Sequence, residues 1–255
     1  MYYEISAVRY AKRDGTRRSH FVNDRHEDGP MPMDYFIWVV RSPEKVFVVD
    51  TGFTEPKRRG RTFLKCPAES LGQMGIDATS VSDVVLTHMH YDHCGGLELF
   101  PNARFHVQER EVAHATGRYM SVGCLGHGYH CEDVLSLVRM NFEGRVVFYD
   151  VDRPIAEGIT LHRIGGHTPG LQCVRVETAR GVVVLASDSV HYYEQMEMNK
   201  VYSSVVNVPD MVDGYATLRR LAGPGGDIVP GHDPLVMQRY PAYNKALEGV
   251  VARIA

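Results

Sequence analysis

The chain has 255 residues, of which 44% are hydrophobic and 23% are charged, and its formal net charge is −3 with histidine neutral. This composition is typical of a globular protein with a large core, and it excludes collagen-like and intrinsically disordered chains. The near balance of 28 basic and 31 acidic residues gives no global electrostatic drive toward nucleic acid.

The sequence contains no candidate membrane span. Its longest apolar runs, such as 35–40 and 182–186, are far too short to cross a bilayer. The first residues, MYYEISAVRYAKR, lack the apolar stretch of a signal peptide, and an odd number of cysteines, five, is typical of reduced thiols. Internal repeats and low-complexity linkers are absent. We therefore expect a cytoplasmic protein with a single domain over residues 1–255.

Short apolar and β-branched runs alternate with helical patterns in the first half of the chain. They predict strands at 35–41, 46–50, 81–87 and 104–107, and helices at 63–75 and 109–116. The stretch 117–131 is irregular.

The second half continues in the same way. It predicts helices at 132–142, 211–221 and 240–254, and strands at 146–149, 159–164, 172–177, 182–186 and 228–230. Many strands with interspersed helices predict a core of two sheets covered by helices.

The most informative segment is the run HMHYDH at 88–93, which holds His88, His90, Asp92 and His93. His88 and His90 are two residues apart, so an extended backbone points both imidazoles to one side. Asp92 and His93 then turn away on a loop. Two imidazoles could hold one ion while the carboxylate and the third imidazole hold another. Such ligands suit zinc, or iron or manganese.

Three later residues complete the ligand count for two ions. His167, Asp188 and His232 each follow an apolar strand in the sequence. Loops at the ends of strands are where rigid scaffolds carry functional side chains. Together with the histidine-rich run, these residues predict a dinuclear metal site.

This series of residues resembles the metallo-β-lactamase superfamily. Residues 49–52 (VDTG) are similar to the early strand and turn of that family, and 166–170 (GHTPG) to its middle motif. The resemblance implies an αββα sandwich, with two mixed β-sheets flanked by helices and the metals at one edge. It also implies three ligand groups: His88, His90 and His167 on the first metal, Asp92, His93 and His232 on the second, and Asp188 bridging.

Within the superfamily, the motif series most resembles the N-acyl-homoserine lactone lactonases. The resemblance implies a quorum-quenching hydrolase that opens the ring of a small lactone with two divalent metal ions. We expect both ions to be zinc. Asp92 would accept a proton as the tetrahedral intermediate collapses. Two other functions stay open: hydrolysis of another small ester, thioester or cyclic amide, and iron-dependent redox chemistry at the same ligands.

The sequence departs from those lactonases in two places. They usually have a tyrosine three residues after the bridging aspartate, where this chain has His191, and a second histidine where it has Leu171. We expect His191, or the adjacent Tyr192 or Tyr193, to donate a hydrogen bond to the substrate carbonyl.

Two further expectations concern other segments. The run Cys124-x-x-His127-x-x-His130-Cys131 is either a separate zinc site or a lid over the active site. The apolar stretches 2–3 and 31–35 would need to be covered, which predicts a homodimer.

Overall fold

The computed structural model describes residues 2–57 and 59–255, and in it two β-sheets pack against each other. The larger sheet has the strand order β13-β1-β2-β3-β5-β6-β7, with β4 paired to β1. Its strands are β1 (Glu4–Arg13), β2 (Met33–Arg41), β3 (Val46–Val49), β4 (Thr62–Phe63), β5 (Asp83–Val85), β6 (Arg104–Gln108), β7 (Val146–Tyr149) and β13 (Val251–Arg253).

The smaller sheet has the order β12-β11-β10-β9-β8. Its strands are β8 (Arg153–Ala156), β9 (Ile159–Arg163), β10 (Gln172–Thr178), β11 (Gly181–Ser187) and β12 (Asp227–Pro230). Both sheets are mixed, because β3, β5, β6 and β7 run parallel to one another, as do β11 and β12, while the other neighbours are antiparallel.

Helices cover the outer faces of the sheets. The α-helices are α1 (Arg17–His20), α2 (Pro67–Gln73), α3 (Tyr91–Cys94), α4 (Glu109–Ala115), α5 (Gly123–Gly126), α6 (Cys131–Phe142), α7 (Tyr193–Glu197), α8 (Val208–Ala222) and α9 (Val236–Arg239). Short 3-10 turns lie at Glu55–Lys57, Ala78–Ser80, Leu97–Leu99, Arg118–Ser121 and Lys245–Leu247.

The alternation of side chains along each strand builds two cores. In β3, Phe47 and Val49 lie in the core between the sheets, while Val48 lies in the core under the outer helices. The smaller sheet divides its residues similarly: Leu185 faces the other sheet and Val184 faces the helices. The predicted αββα sandwich is therefore confirmed.

The longest helix, α8, shows how local sequence sets these elements. The side chain of Asn207 accepts a hydrogen bond from the backbone N–H of Asp210 and caps the N-terminus, and the helix ends before Gly223 at φ 68°. The helix packs on β11 and β12 through side chains spaced three and four residues apart. These buried residues are Met211, Tyr215, Leu218 and Ala222.

The end of the chain corrects the expected closing helix at 240–254. This region instead contains a 3-10 turn and the strand β13, in which Val251 pairs with Val8 of β1. Gly249, at φ 72°, interrupts any helix just before the strand. The predicted helix at 63–75 is also shorter, since it begins at Pro67 after residues 62–63 have paired with β1.

Two further expectations concerned membrane spans and a homodimer. None of the helices in the described part of the chain is long and apolar enough to cross a membrane. Met33, Tyr35 and Tyr3 are buried by the chain itself, whereas Tyr2 is 68% exposed. Most of the apolar surface invoked for a homodimer is therefore already covered, and the dimer stays a prediction.

Candidate metal centre

The side chains predicted to bind metal converge at one edge of the two sheets. They come from the segments that follow β5, β9, β11 and β12. Six of them are buried, and the side chain of Asp92 is 12% exposed. The parallel pairing of β11 with β12 carries Asp188 and His232 to the same edge, as expected for residues after the carboxyl ends of parallel strands.

The donor atoms form overlapping triplets, two of which match the expected ligand groups. His88, His90 and His167 have ring nitrogens that all lie within 4.8 Å of one another. A second set with the same spacing joins a carboxylate oxygen of Asp92 to ring nitrogens of two other histidines, His93 and His232. Both groups of the expected partition are therefore present, a further triplet of His88, His93 and Asp188 links them, and the assignment of ligands to each ion stays a prediction.

Asp188 lies between these two triplets. Its Oδ2 is 3.2 Å from Nε2 of His167, while its Oδ1 is 3.1 Å from Nε2 of His232 and 3.3 Å from Nε2 of His93. Each carboxylate oxygen therefore faces a different triplet, which is the arrangement that a bridging ligand requires.

Hydrogen bonds on the far side of three rings set their tautomers. Nδ1 of His167 donates to the carbonyl of Ser204 at 2.6 Å, and Nδ1 of His232 donates to the carbonyl of Asp34 at 2.8 Å. Because a carbonyl oxygen can only accept, both rings carry their proton on Nδ1 and present an Nε2 lone pair to the centre. His93 is held likewise, with its Nδ1 2.7 Å from Oδ2 of Asp50.

Several of these polar atoms make no hydrogen bond within the part of the chain that the structure describes. Nε2 of His88, Nε2 of His93 and Oδ1 of Asp188 are buried without a hydrogen bond. Leaving such groups unsatisfied costs about 1–3 kcal/mol each, so they need a ligand. Burial also lowers the pKa of His167 to about 3 and lowers the pKa of His88, which keeps both imidazoles neutral and able to bind metal. The donor set fits two divalent metal ions.

Two strained residues support this edge. Asp50 has φ 62° and Ser187, which precedes Asp188, has φ 47°, a region that non-glycine residues rarely adopt. The carboxylate of Asp50 also accepts hydrogen bonds from the backbone N–H and the hydroxyl of Thr87, at 2.7 and 2.8 Å. Asp50 therefore fixes the start of the histidine-rich run as well as the His93 ring.

The sequence placed Asp50 in a strand-and-turn motif but did not indicate that it contacts the metal ligands. Its position in VDTG, at the end of an apolar strand, was the available signal. The carbonyls of Ser204 and Asp34 carry no sequence signal, because any residue can supply them.

His191 lies nearer the centre than predicted. Its Nε2 is 3.0 Å from Oδ2 of Asp188, and its ring stacks on Tyr202 with centroids 3.4 Å apart. His167, Asp188 and His191 also form a triplet of donor atoms. The ring is therefore directed at the carboxylate and also lines the cavity, and its hydrogen bond to a substrate carbonyl stays a prediction.

The two neighbouring tyrosines do not line the cavity beside the centre. The hydroxyl of Tyr192 donates to the carbonyl of Pro32 at 3.2 Å. Tyr193 lies in the core between the sheets, where its hydroxyl is 3.5 Å from that of Tyr240 and the guanidinium of Arg239 lies over its ring. Both rings therefore occupy packing sites, and the geometry gives no support to the expectation that either tyrosine contacts substrate.

A cavity of about 470 Å³ opens onto the centre. Its walls include donor residues from both triplets together with Asp188 and His191. Tyr35, Tyr91 and Tyr202 also line it. The cavity can therefore hold a small molecule against the metal-binding side chains.

The cysteine-rich segment, residues 124–131, forms one side of this cavity. His127 and Gly128 line it, and the backbone N–H of Tyr91 donates to the carbonyl of Gly128 at 2.8 Å. Cys124 and Cys131 are exposed, and within residues 2–57 and 59–255 no triplet of donor atoms forms in this segment. A separate zinc site therefore gains no support, and movement of the segment as a lid stays a prediction.

Comparisons with known proteins agree with this geometry. The chain is 31% identical over 179 residues to the N-acyl homoserine lactonase AttM of Azorhizobium caulinodans, covering 68% of this chain and 65% of the relative, so it spans just under two thirds of that relative's length. A crystal structure of a quorum-quenching N-acyl homoserine lactone lactonase superposes with a TM-score of 0.79 at 20% identity, covering 95% and 98% of the two chains.

A second solved structure is AidC, a dizinc quorum-quenching lactonase in complex with a product. It superposes with a TM-score of 0.73 at 19% identity, covering 91% of this chain and 88% of that one. At these identities the superpositions establish the fold. The model of the metallo-β-lactamase superfamily matches residues 32–244. The chain belongs to the metallo-β-lactamase superfamily.

Proposed function

We propose that this chain is a dinuclear metal-dependent hydrolase that opens a lactone ring at its carboxylic ester bond. The observation that carries the proposal is the position of Asp188, whose two carboxylate oxygens face two separate triplets of metal donors. The name of the Azorhizobium caulinodans relative, an N-acyl homoserine lactonase, supports a lactone as the substrate class.

The ligand assignment follows the two triplets. His88, His90 and His167 would hold one ion, Asp92, His93 and His232 would hold the other, and Asp188 would offer one carboxylate oxygen to each. We propose zinc for both ions, because neutral imidazoles with carboxylates suit zinc and because the structural neighbour AidC is described as dizinc. When bound, two such ions lower the pKa of a shared water and polarise a carbonyl oxygen.

The protein residues supply positioning and proton transfer. Asp92 belongs to a donor triplet and also lines the cavity, so a free carboxylate oxygen can take the proton of the attacking water. As the ring C–O bond breaks, Asp92 passes this proton to the leaving alkoxide, and the product is a hydroxy acid. Tyr35, Tyr91 and Tyr202 orient the substrate ring and exclude bulk water.

Metal content and a substrate panel test the proposal. We expect about two zinc ions per chain, loss of activity on removal of metal with a chelator, and recovery on adding zinc back. Lactones should be hydrolysed faster than matched linear esters, thioesters and cyclic amides. A preference for one of those other classes, or iron at the site with oxygen uptake during turnover, would overturn lactone hydrolysis.

Three finer statements belong to the same proposal. Turnover of N-acyl homoserine lactones would make the enzyme quorum quenching. The five free thiols support a reducing compartment such as the cytoplasm. Light scattering at working concentration tests the homodimer.

A further inference from the structure

Three arginines line the cavity beside the metal centre. Arg13 lies at the end of β1, while Arg59 and Arg61 lie in the segment before β4. Within residues 2–57 and 59–255, none of the three has a carboxylate within 4.0 Å. Several other arginines are paired with acids, as in Arg9 with Asp34 at 3.1 Å. The cavity therefore brings together three arginines whose charge no neighbouring carboxylate among the described residues neutralises.

Neutral groups hold these side chains in place. Nε of Arg61 donates to the hydroxyl of Tyr35 at 3.1 Å, and its Nη1 donates to the carbonyl of Arg59 at 2.7 Å. Nη1 of Arg59 donates to the carbonyl of His127 at 2.9 Å. Nε of Arg13 meets only the sulfur of Met33, at 3.1 Å. Each guanidinium carries five N–H donors, so most of them stay available to a ligand.

Aromatic rings bring the arginines together. The guanidiniums of Arg59 and Arg61 lie over the ring of Tyr91, at 4.7 and 5.1 Å from its centroid. Arg13 and Arg61 are both close enough to Tyr35 to oppose the rise that burial gives to the pKa of its hydroxyl. Stacking on a ring restricts each guanidinium plane, so less entropy is lost when a planar anion binds.

The acidic residues of the cavity do not offset the positive charge of the three arginines. Asp92 and Asp188 face the donor triplets, where bound cations would neutralise them. Asp14, the remaining acid in the cavity wall, is exposed. The cavity wall outside the donor triplets is therefore cationic, although the chain as a whole has a net charge of −3.

We propose that the natural substrate is a small lactone that carries a carboxylate, which Arg13 and Arg61 bind at the cavity mouth with Arg59 beside them. The inference rests on the proposed lactone hydrolysis and names its substrate class. Guanidinium and carboxylate form paired charge-assisted hydrogen bonds, whereas a long neutral acyl chain would leave three cations desolvated without a partner. The departures at His191 and Leu171 from the acyl-homoserine lactonases agree with a different substrate.

The test uses the zinc-loaded full chain and a matched pair of γ-butyrolactones, one with a ring carboxylate and one with the corresponding carboxamide. We expect kcat/KM to be about 10²-fold higher for the carboxylate, mostly through KM, and this preference to fall as ionic strength rises. In Arg13→Gln and in Arg61→Gln the ratio of the two kcat/KM values should fall by about tenfold or more. Arg220→Gln, which removes an exposed arginine of α8, should keep the wild-type ratio.

The outcomes separate this inference from the proposed function. Turnover of both lactones with no preference for the carboxylate would overturn the inference and leave lactone hydrolysis intact. If these lactones and the other lactones of the substrate panel all fail to react while zinc is bound, the proposed function fails. Binding of succinate by calorimetry to the zinc-loaded wild type and to an Arg13→Gln/Arg61→Gln double variant then decides the inference: weaker binding by the variant supports it, and equal binding overturns it. Zinc content and melting temperature confirm that each variant is folded.

Discussion

Oδ2 of Asp50 lies 2.7 Å from Nδ1 of His93, although 43 residues separate them in the chain. Both groups are buried, and Asp50 holds its position in a left-handed backbone conformation at φ 62°. The carboxylate orients the imidazole and makes it a better electron donor to a metal. Asp50 is therefore a positioning residue that acts on the centre through His93.

Replacing this carboxylate tests that role. Asp50→Asn should lower zinc affinity by about 10–100-fold, because the orienting charge is lost while the side chain keeps its shape. Competition with a chromogenic chelator measures the affinity. A matched control is Asp83→Asn, which alters another buried pair, Asp83 with His106 at 3.0 Å, away from the cavity. Equal zinc affinity in both variants would contradict the role given to Asp50.

The bridging role of Asp188 makes a stronger prediction. Asp188→Ala removes the two oxygens that face the triplets, so both ions should bind weakly and hydrolysis should fall below detection. Elemental analysis measures the zinc content per chain, and a lactone assay measures turnover. The control is Asp213→Ala, which removes an exposed carboxylate. Full metal content together with full activity would eliminate Asp188 as the bridge.

His191 is expected to affect turnover more than metal content. Its Nε2 lies 3.0 Å from Oδ2 of Asp188, so it orients the bridging carboxylate. His191→Ala should lower turnover by about 10–100-fold with both zinc ions retained, and His191→Gln, which can still donate, should recover part of the loss. Tyr193→Phe is the control. Loss of one zinc ion in His191→Ala would instead make His191 a ligand.

The ligands could be predicted from sequence because they occur in a dense local run and at the ends of apolar strands. His88, His90 and Asp92 stand close together in the chain, so short-range geometry alone suggested a shared site. The strand Val146–Tyr149 was predicted with its observed bounds, since its apolar run is bounded by polar residues. These features depend on local sequence alone.

Other features depend on contacts that no local pattern reveals. β1 was not predicted, because Ser6, Arg9 and Lys12 interrupt its apolar pattern. In the fold, Ile5 and Ala7 pack between the sheets, and Val8 and Tyr10 pack under the helices. The sequence of β13 predicted a helix, but in the fold its pairing with β1 stabilises it as a strand. The arginines of the cavity come from the end of β1 and from the segment before β4, so their proximity appears only in the folded chain.

A charged network near the cavity predicts a dependence of stability on acid. The carboxylate of Glu194 accepts hydrogen bonds from Arg17, at 2.5 and 2.8 Å, and from Lys200. The hydrogen bonds from Arg17 lower the pKa of Glu194 from 4.5 to about 2. Its contribution to stability is therefore present above pH 4.5 and is lost as the pH falls toward 2.

Glu194→Gln should remove that contribution. We expect the free energy of unfolding at pH 7 to fall by about 1 kcal/mol, since the pair is partly exposed, and the difference from wild type to shrink below pH 4.5. Urea unfolding at several pH values measures it. Glu4→Gln, whose side chain is 65% exposed in its pair with Arg41, should change the stability less. A constant difference between Glu194→Gln and wild type across this pH range would contradict the assignment.

The final prediction concerns the close approach of the cysteine-rich segment to the centre. A Cβ on Gly128 would lie 2.5 Å from Nε2 of His90, closer than real contacts allow, so the imidazole would have to turn away. Nδ1 of that ring lies 2.9 Å from Nε2 of His167, within the first donor triplet. Gly128→Ala should therefore disturb this triplet and lower turnover by about 10²-fold. In Gly123→Ala a Cβ would meet no atom within 4 Å, so this control in the same segment should keep wild-type activity. Equal activity in the two variants would show that Gly128 does not hold His90 in place.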